Sequence, residues 1–172
     1  MTVLPDAPAK TYIVQGEQAI GYRPDHVITT ILGSCVSVCL WDKVRRIGGM
    51  NHILLPDSQG AMLGAGASAM ETLINAMMKA GAAKLDCRAK VFGGAAIIDG
   101  LSDIGSRNAA FAMGYLKTEG IEVVAHSTGG RSARQIRFWP STGQAQQRLV
   151  QASDVAPEAV SAVPAGNDIE LL

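Results

Sequence analysis

The sequence predicts a layered α/β domain, and three observations carry that expectation. Short β-type runs open the chain, two helical patterns follow, and strand-like segments alternate with those helices up to about residue 150. The 172 residues, 48% hydrophobic and 17% charged, suffice for one domain with a substantial core. Residues 1–10 and 151–172 contain Ala and Pro without periodicity and read as flexible tails around a domain at 11–150.

Residues 11–14 and 27–31 are short β-type runs, and residues 36–41, Val-Ser-Val-Cys-Leu-Trp, alternate with period two as a half-buried strand does. Residues 47–55 read as the hairpin partner of that strand, with 42–46 as the connecting turn. Ser68 can cap a helix whose Met70, Leu73, Ile74, Met77 and Met78 recur at i, i+3, i+4, i+7 and i+8 and which ends at Gly81. Residues 90–92 form a buried strand, Gly93-Gly94 a turn, and residues 108–118 a second helix with Phe111, Tyr115 and Leu116 on its apolar side, stopped at Gly120. A strand at 121–125 leads to the loop Thr128-Gly129-Gly130. Residues 135–138 and 148–150 pair as a last hairpin around Ser141-Thr142-Gly143.

Fifteen basic residues balance fifteen acidic ones, for a formal net charge of +0, so nonspecific attraction to nucleic acid or to an anionic membrane is not expected. The N-terminus lacks a basic region followed by an apolar segment, and no apolar run approaches the roughly 18–20 residues of a membrane span. A cytoplasmic protein without direct membrane insertion is the expectation. Cys35, Cys39 and Cys87 are an odd count without C-x-x-C spacing, which argues against a disulfide framework and against a zinc site.

Cys35 stands in Leu32-Gly33-Ser34-Cys35-Val36 at the mouth of a strand, with His52 seventeen residues on in the predicted partner strand. A free Cys with a pKa of ~8.5 is only about 3% thiolate at pH 7, so an imidazole brought near by the hairpin would serve to activate it. Cys39 shares the face of Cys35 but lies about 13 Å away at ~3.3 Å per residue, too far for a shared disulfide or metal. Cys39 and Cys87 are most simply small core residues. His26 reads as a solvated loop residue, whereas His126, at a strand end before a Gly-Gly loop, is the rival base. A redox-sensing thiol would need a resolving partner, which the spacing does not offer.

Five segments follow one another from about residue 12 to 150: Thr29-x5-Cys35, Gly49-Met50-x-His52-x2-Leu55-Pro56, Lys90-Val91-Phe92-Gly93-Gly94-Ala95, Ile104-Gly105-x-Arg107-Asn108 and Gly129-Gly130-x3-Arg134. Together they resemble the CheD family of chemoreceptor glutamine deamidases. Ser127 and Ala133 depart from the acidic residue and the Gly common in the last motif, and residues 60–66 lack a frequent Tyr. The resemblance implies an α/β sandwich related to deamidating bacterial toxins, with mixed or antiparallel sheets and two main helices. It implies a cysteine hydrolase that converts glutamines on the cytoplasmic helices of chemotaxis receptors to glutamates. Cys35 would be the nucleophile, His52 the general base and Thr29 the residue orienting the ring, preferred over Thr30 by strand register.

Hydrolysis needs no cofactor, and neither Gly-Gly pair has the pattern of a nucleotide-binding loop. Gly93, Gly94, Gly129 and Gly130 are turns or line a substrate groove together with Ser34; Arg107 and Arg134 contact acidic residues of the substrate or form ordinary ion pairs. Some members of the family bind the phosphatase CheC, and receptor methyl-ester hydrolysis is associated with it. The alternative is a noncatalytic adaptor that docks on such a phosphatase or on a receptor helix.

Overall fold

The computed structural model describes residues 9–56, 59–97, 102–151 and 169–172. Its strands are β1 (Lys10–Tyr12), β2 (Gln18–Gly21), β3 (Val27–Leu32), β4 (Val36–Asp42), β5 (Ile47–Asn51), β6 (Cys87–Gly93), β7 (Glu122–Thr128), β8 (Ala133–Trp139), β9 (Gln144–Val150) and β10 (Ile169–Leu171). Two helices, α1 (Gln59–Lys79) and α2 (Ser102–Thr118), complete the layered α/β architecture. One sheet has the order β1-β3-β8-β9-β10 and the other β2-β5-β4-β6-β7. Both are mixed, because β1 runs parallel to β3 and β6 parallel to β7 while the remaining pairs are antiparallel.

Strand alternation divides the core into two layers. Val36, Val38 and Leu40 of β4 and Val91 of β6 turn to one side, where Met70, Leu73 and Met77 of α1 and Leu116 of α2 cover them. Cys39 and Trp41 of β4, Met50 of β5 and Phe92 of β6 turn to the other side and meet Ile28 and Leu32 of β3 and Ile136 and Phe138 of β8. The order is therefore helices, then the β2-β5-β4-β6-β7 sheet, then the second sheet. Cys35 is packed against the inter-sheet layer.

The predicted hairpin at 36–55 is present: Cys39 pairs with Met50, Leu40 with Gly49, Trp41 with Gly48 and Asp42 with Ile47. The last hairpin is also present as β8 and β9, turned at Gly143 with φ 76°. Other bounds differ. Helix α1 begins nine residues before Ser68, through a stretch with glycines at 60, 64 and 66 that propensity alone would leave unfolded. Tertiary contact overrides that preference, since a Cβ on Gly66 would stand 2.4 Å from the Phe111 ring and 2.8 Å from Leu55. Helix α2 likewise starts at Ser102 rather than 108, and Gly105 in its first turn meets the backbone of Gly94.

Strand β2, Gln-Ala-Ile-Gly, is too short to show an apolar alternation and is absent from the sequence expectation, yet Ala19 and Ile20 pack against the two core layers. The tail boundaries are corrected at both ends. Lys10 already pairs with Val27, and Ile169–Leu171 return as β10 on β9, with Leu172 packed against the inter-sheet layer. The rest of the predicted tails, residues 1–8 and 152–168, lies outside the described residues.

Candidate active site

Cys35 precedes β4 and is held by main-chain bonds: Gly94 N–H donates to Cys35 O at 2.8 Å, and Ala95 N–H to Gly33 O at 3.0 Å. The first requires an intimate approach, because a Cβ on Gly93 would lie 2.3 Å from Cys35 O, and Gly93 itself sits at φ 101°. Gly93 is thus the last residue of β6, not a turn residue, and with Gly94 it braces the backbone of Cys35.

His52 follows β5. Beyond the regular ladder, Val36 and Ile53 form an isolated antiparallel bridge with both backbone bonds, at 2.9 and 2.8 Å. This register sets His52 opposite Ser37, and Cys35 two positions along the same face, a diagonal relation with Cα atoms ~7–8 Å apart. His126 cannot compete, since it is exposed and pairs with Val91, whose side chain lies on the helix side of the sheet. His26 is not free in a loop as expected; its Nε2 lies 2.8 Å from Thr11 Oγ1.

Thr30 Oγ1 lies 2.7 Å from His52 Nδ1 and 2.7 Å from the carbonyl of Ile13. A carbonyl only accepts, so the single hydroxyl proton goes to Ile13 and His52 Nδ1 must carry the other proton. That tautomer leaves the Nε2 lone pair free to act as a base. The expectation that Thr29 orients the ring is corrected. In β3, Ile28 and Leu32 face the inter-sheet layer, so Thr30 between them reaches across to His52, while Thr29 points away and donates to Ile136 O at 2.9 Å within its own sheet.

Burial sets the charge states. It pushes the Cys35 thiol up to about 11 and His52 down to about 4, so both are neutral at pH 7. The resting pair is thiol and imidazole, not thiolate and imidazolium. Cys39 is fully buried and Cys87 nearly so, and all three cysteines are free, as the core reading of the first two requires. Ser37, also on the Cys35 face, is buried with an Oγ that has no hydrogen-bond partner among the described residues.

Around this centre the other predicted residues divide. Ser34 contributes its carbonyl, which accepts Asn108 Nδ2–H at 2.8 Å. Gly129 and Gly130, at φ 79° and 75°, form a turn whose Gly130 O accepts Ala96 N–H at 2.9 Å, beside the 93–95 segment. Arg134 is buried and hydrogen-bonds Ser127 O and Gly129 O, fastening that turn rather than offering itself to a substrate. Arg107 is partly exposed on α2, with Asp103 3.9 Å away. A groove of about 460 Å³ opens beside His52, lined by Gly16, Glu17, Asn51, Leu54 and Ser68 among others.

Thr30, Asn51, Ser37 and Asn108 are the side chains that sequence reasoning passed over. The alternation of β3 held the signal for Thr30, once Ile28 and Leu32 are assigned to the core. Among the described residues, no group of three or more His, Cys, Asp or Glu side chains is placed to hold a metal ion, and no helix is long and apolar enough to cross a membrane.

The family model described as CheD chemotactic sensory transduction matches residues 54–149. A probable chemoreceptor glutamine deamidase CheD of Caulobacter vibrioides is 49% identical over 161 residues, covering 91% of this chain and 86% of its own. Another protein of that name, from Agrobacterium fabrum, is 45% identical over 175 residues, covering 95% of this chain and 97% of its own. Among solved structures, the Neisseria meningitidis protein NMB0706 aligns with a TM-score of 0.45 at 14% identity, over 71% of this chain and 63% of that one. With identity of this order sustained along nearly its whole length, the chain belongs to the CheD family.

Proposed function

We propose that this protein is a cysteine hydrolase that deamidates glutamines on the cytoplasmic helices of chemotaxis receptors. The observation that carries the reading is the bond from His52 Nδ1 to Thr30, which fixes the ring with Nε2 as a free base on the face that also bears Cys35. The names of the relatives supply the substrate class.

In this reading Cys35 Sγ attacks the carboxamide carbon of a glutamine while its thiol proton passes to His52 Nε2. Because both groups rest neutral, transfer accompanies attack rather than preceding it. Backbone N–H groups of the 32–35 turn, that of Cys35 among them, are the candidates to stabilise the oxyanion. The C–N bond breaks as His52 returns the proton to the departing nitrogen, releasing ammonia and leaving a thioester on Cys35. Water then adds to the thioester with His52 taking its proton; the C–S bond breaks, the sulfur is reprotonated and glutamate is left. No cofactor enters this sequence. Receptor methyl esters would follow the same course with an alkoxide leaving group.

The place of action in this reading is the cytoplasm, where the receptor helices lie, and a CheC-type phosphatase is a further proposed partner. Incubation with the cytoplasmic domain of a chemoreceptor should add about one dalton per modified glutamine and release ammonia in step. No mass gain on any candidate receptor, with the domain bound all the same, would leave the adaptor reading in its place.

A further inference from the structure

The ladder between β4 and β5 is regular from Asp42/Ile47 to Cys39/Met50 and then changes character. Val38 N–H donates to the side-chain Oδ1 of Asn51 at 2.9 Å. The ladder closes again at Val36/Ile53, where both backbone bonds are made. In an antiparallel pair, doubly bonded positions recur every second residue, so the next one would join Ser34 and Leu55.

That position is occupied by a side chain from α2. Asn108 Nδ2–H donates to Ser34 O at 2.8 Å, and Leu55 N–H donates to Asn108 Oδ1 at 3.2 Å. The orientation of the amide is fixed by its partners, since a carbonyl can only accept and a backbone N–H only donate. Asn108 is buried, 3% exposed, and its bond from Leu55 N–H is made away from water, while the bond to Ser34 O is partly buried, so losing the side chain would strand Leu55 N–H unless the strands close.

We propose that Asn108 is a positioning residue of the hydrolytic site, its carboxamide standing in for the backbone rung between Ser34 and Leu55 and holding open the strand end that carries Cys35 and His52. A direct rung there would need only an N–H and a carbonyl about 2.9 Å apart. Interposing an amide group separates the two strands beside the Cys35/Leu54 pair. Cys35 lies between the wedge and the Val36/Ile53 bridge, so its separation from His52 is set jointly by a rigid rung on one side and a side-chain spacer on the other.

The proposal rests on the deamidase reading for its activity measurement only; alkylation of Cys35 by iodoacetamide reports on the thiol whether or not a receptor is modified. The test compares the parent with Asn108→Ala, which lets the rung close, and Asn108→Asp, which keeps the acceptor for Leu55 N–H but loses the donor to Ser34. Both variants are expected to lower kcat at least tenfold with KM within twofold, and to shift the rate of Cys35 alkylation at least fivefold, with the near-UV circular dichroism of the parent. In Asn108→Ala, Leu55 N–H should remain protected from hydrogen exchange, now bonded directly to Ser34 O.

Parent kcat and parent alkylation rate in either folded variant would overturn the proposal. So would an activity loss that disappears on cooling to a temperature where the variant is fully folded, or failure of both variants to fold, since each makes Asn108 a packing residue. If the parent itself modifies no receptor while the alkylation shift is seen, the deamidase reading fails and the wedge stands.

Discussion

The two ends of the β4–β5 pair are built on opposite plans. At the turn end, Asp42 is fully buried and accepts from Val44 N–H and Arg45 N–H through Oδ1 and from Ala83 N–H and the Arg45 guanidinium through Oδ2, all at 2.9–3.0 Å. Burial alone would raise its pKa, but these donors outweigh it and bring the carboxyl to about 2. At the other end, backbone pairing gives way to asparagine side chains at Val38 and at Ser34/Leu55, beside the half-buried thiol and the buried imidazole. One hairpin thus spends its regular bonds where nothing reacts and relaxes them where a substrate must enter. The lesson is that an open site can be rigid if the opening is itself hydrogen-bonded.

The contrast can be broken most severely at the open end. Cys35→Ala should abolish ammonia release, and His52→Ala should cost about 10²–10⁴-fold in kcat, the usual worth of a positioned base; a parent rate in the first would end the nucleophile assignment. Thr30→Val keeps the shape but removes the hydroxyl, freeing the ring to rotate, and should lower kcat roughly tenfold, about 1.4 kcal/mol of barrier. Thr29→Val is the matched control: it loses one bond to Ile136 O, worth about 1 kcal/mol of stability, and should leave kcat within twofold. Steady-state kinetics and thermal melts on the two valine variants separate the faces of β3.

At the closed end, Asp42→Ala should lower Tm by about 9 °C, from about 3 kcal/mol of lost charge-assisted bonding in a chain of this size. Activity per folded molecule should hardly change.

Acid should distinguish the ends by order. His52 has a folded pKa of about 4 against ~6.5 unfolded, so the stability from its neutral ring is complete above 6.5 and is lost as pH falls through 4. Asp42, at about 2 against ~3.9 unfolded, contributes fully above 3.9 and loses that contribution as pH falls through 2. Amide exchange followed from pH 7 to 3 should therefore loosen around His52 before the 42–46 turn. In the same way kcat/KM should persist below pH 6 and fall near the His52 value, while Cys35 alkylation keeps rising above pH 9. An acid limb at 6.5 would show that the ring is more hydrated than its burial implies.

Much of this is legible in the sequence. The alternation of Val36, Val38 and Leu40 with Ser37 and Cys39 made the strand evident, and its pairing with residues 47–55 brought His52 to the Cys35 face by register alone. Thr29 and Thr30 show the limit. Alternation says that they oppose one another, but which faces the second sheet depends on a partner layer that the local pattern does not name. The early starts of α1 and α2 were hidden for a related reason, since Gly66 and Gly105 look like breakers until Phe111 and Gly94 are seen against them. Asn108 was visible only as one letter of a motif, because its role lies in two main-chain partners 74 and 53 residues away.

The contact between Gly94 and Gly105 has a consequence for how the site tolerates change. A methyl on Gly94 would stand 2.2 Å from Gly105 O, and one on Gly105 would stand 2.4 Å from Gly94 O, so the first turn of α2 rests on the segment after β6 with bare main chain against main chain. At this contact the standoff of the helix is set by peptide dimensions, while farther along Ala112 and Leu116 pack through their side chains. A single added carbon at either glycine would retune that standoff at once.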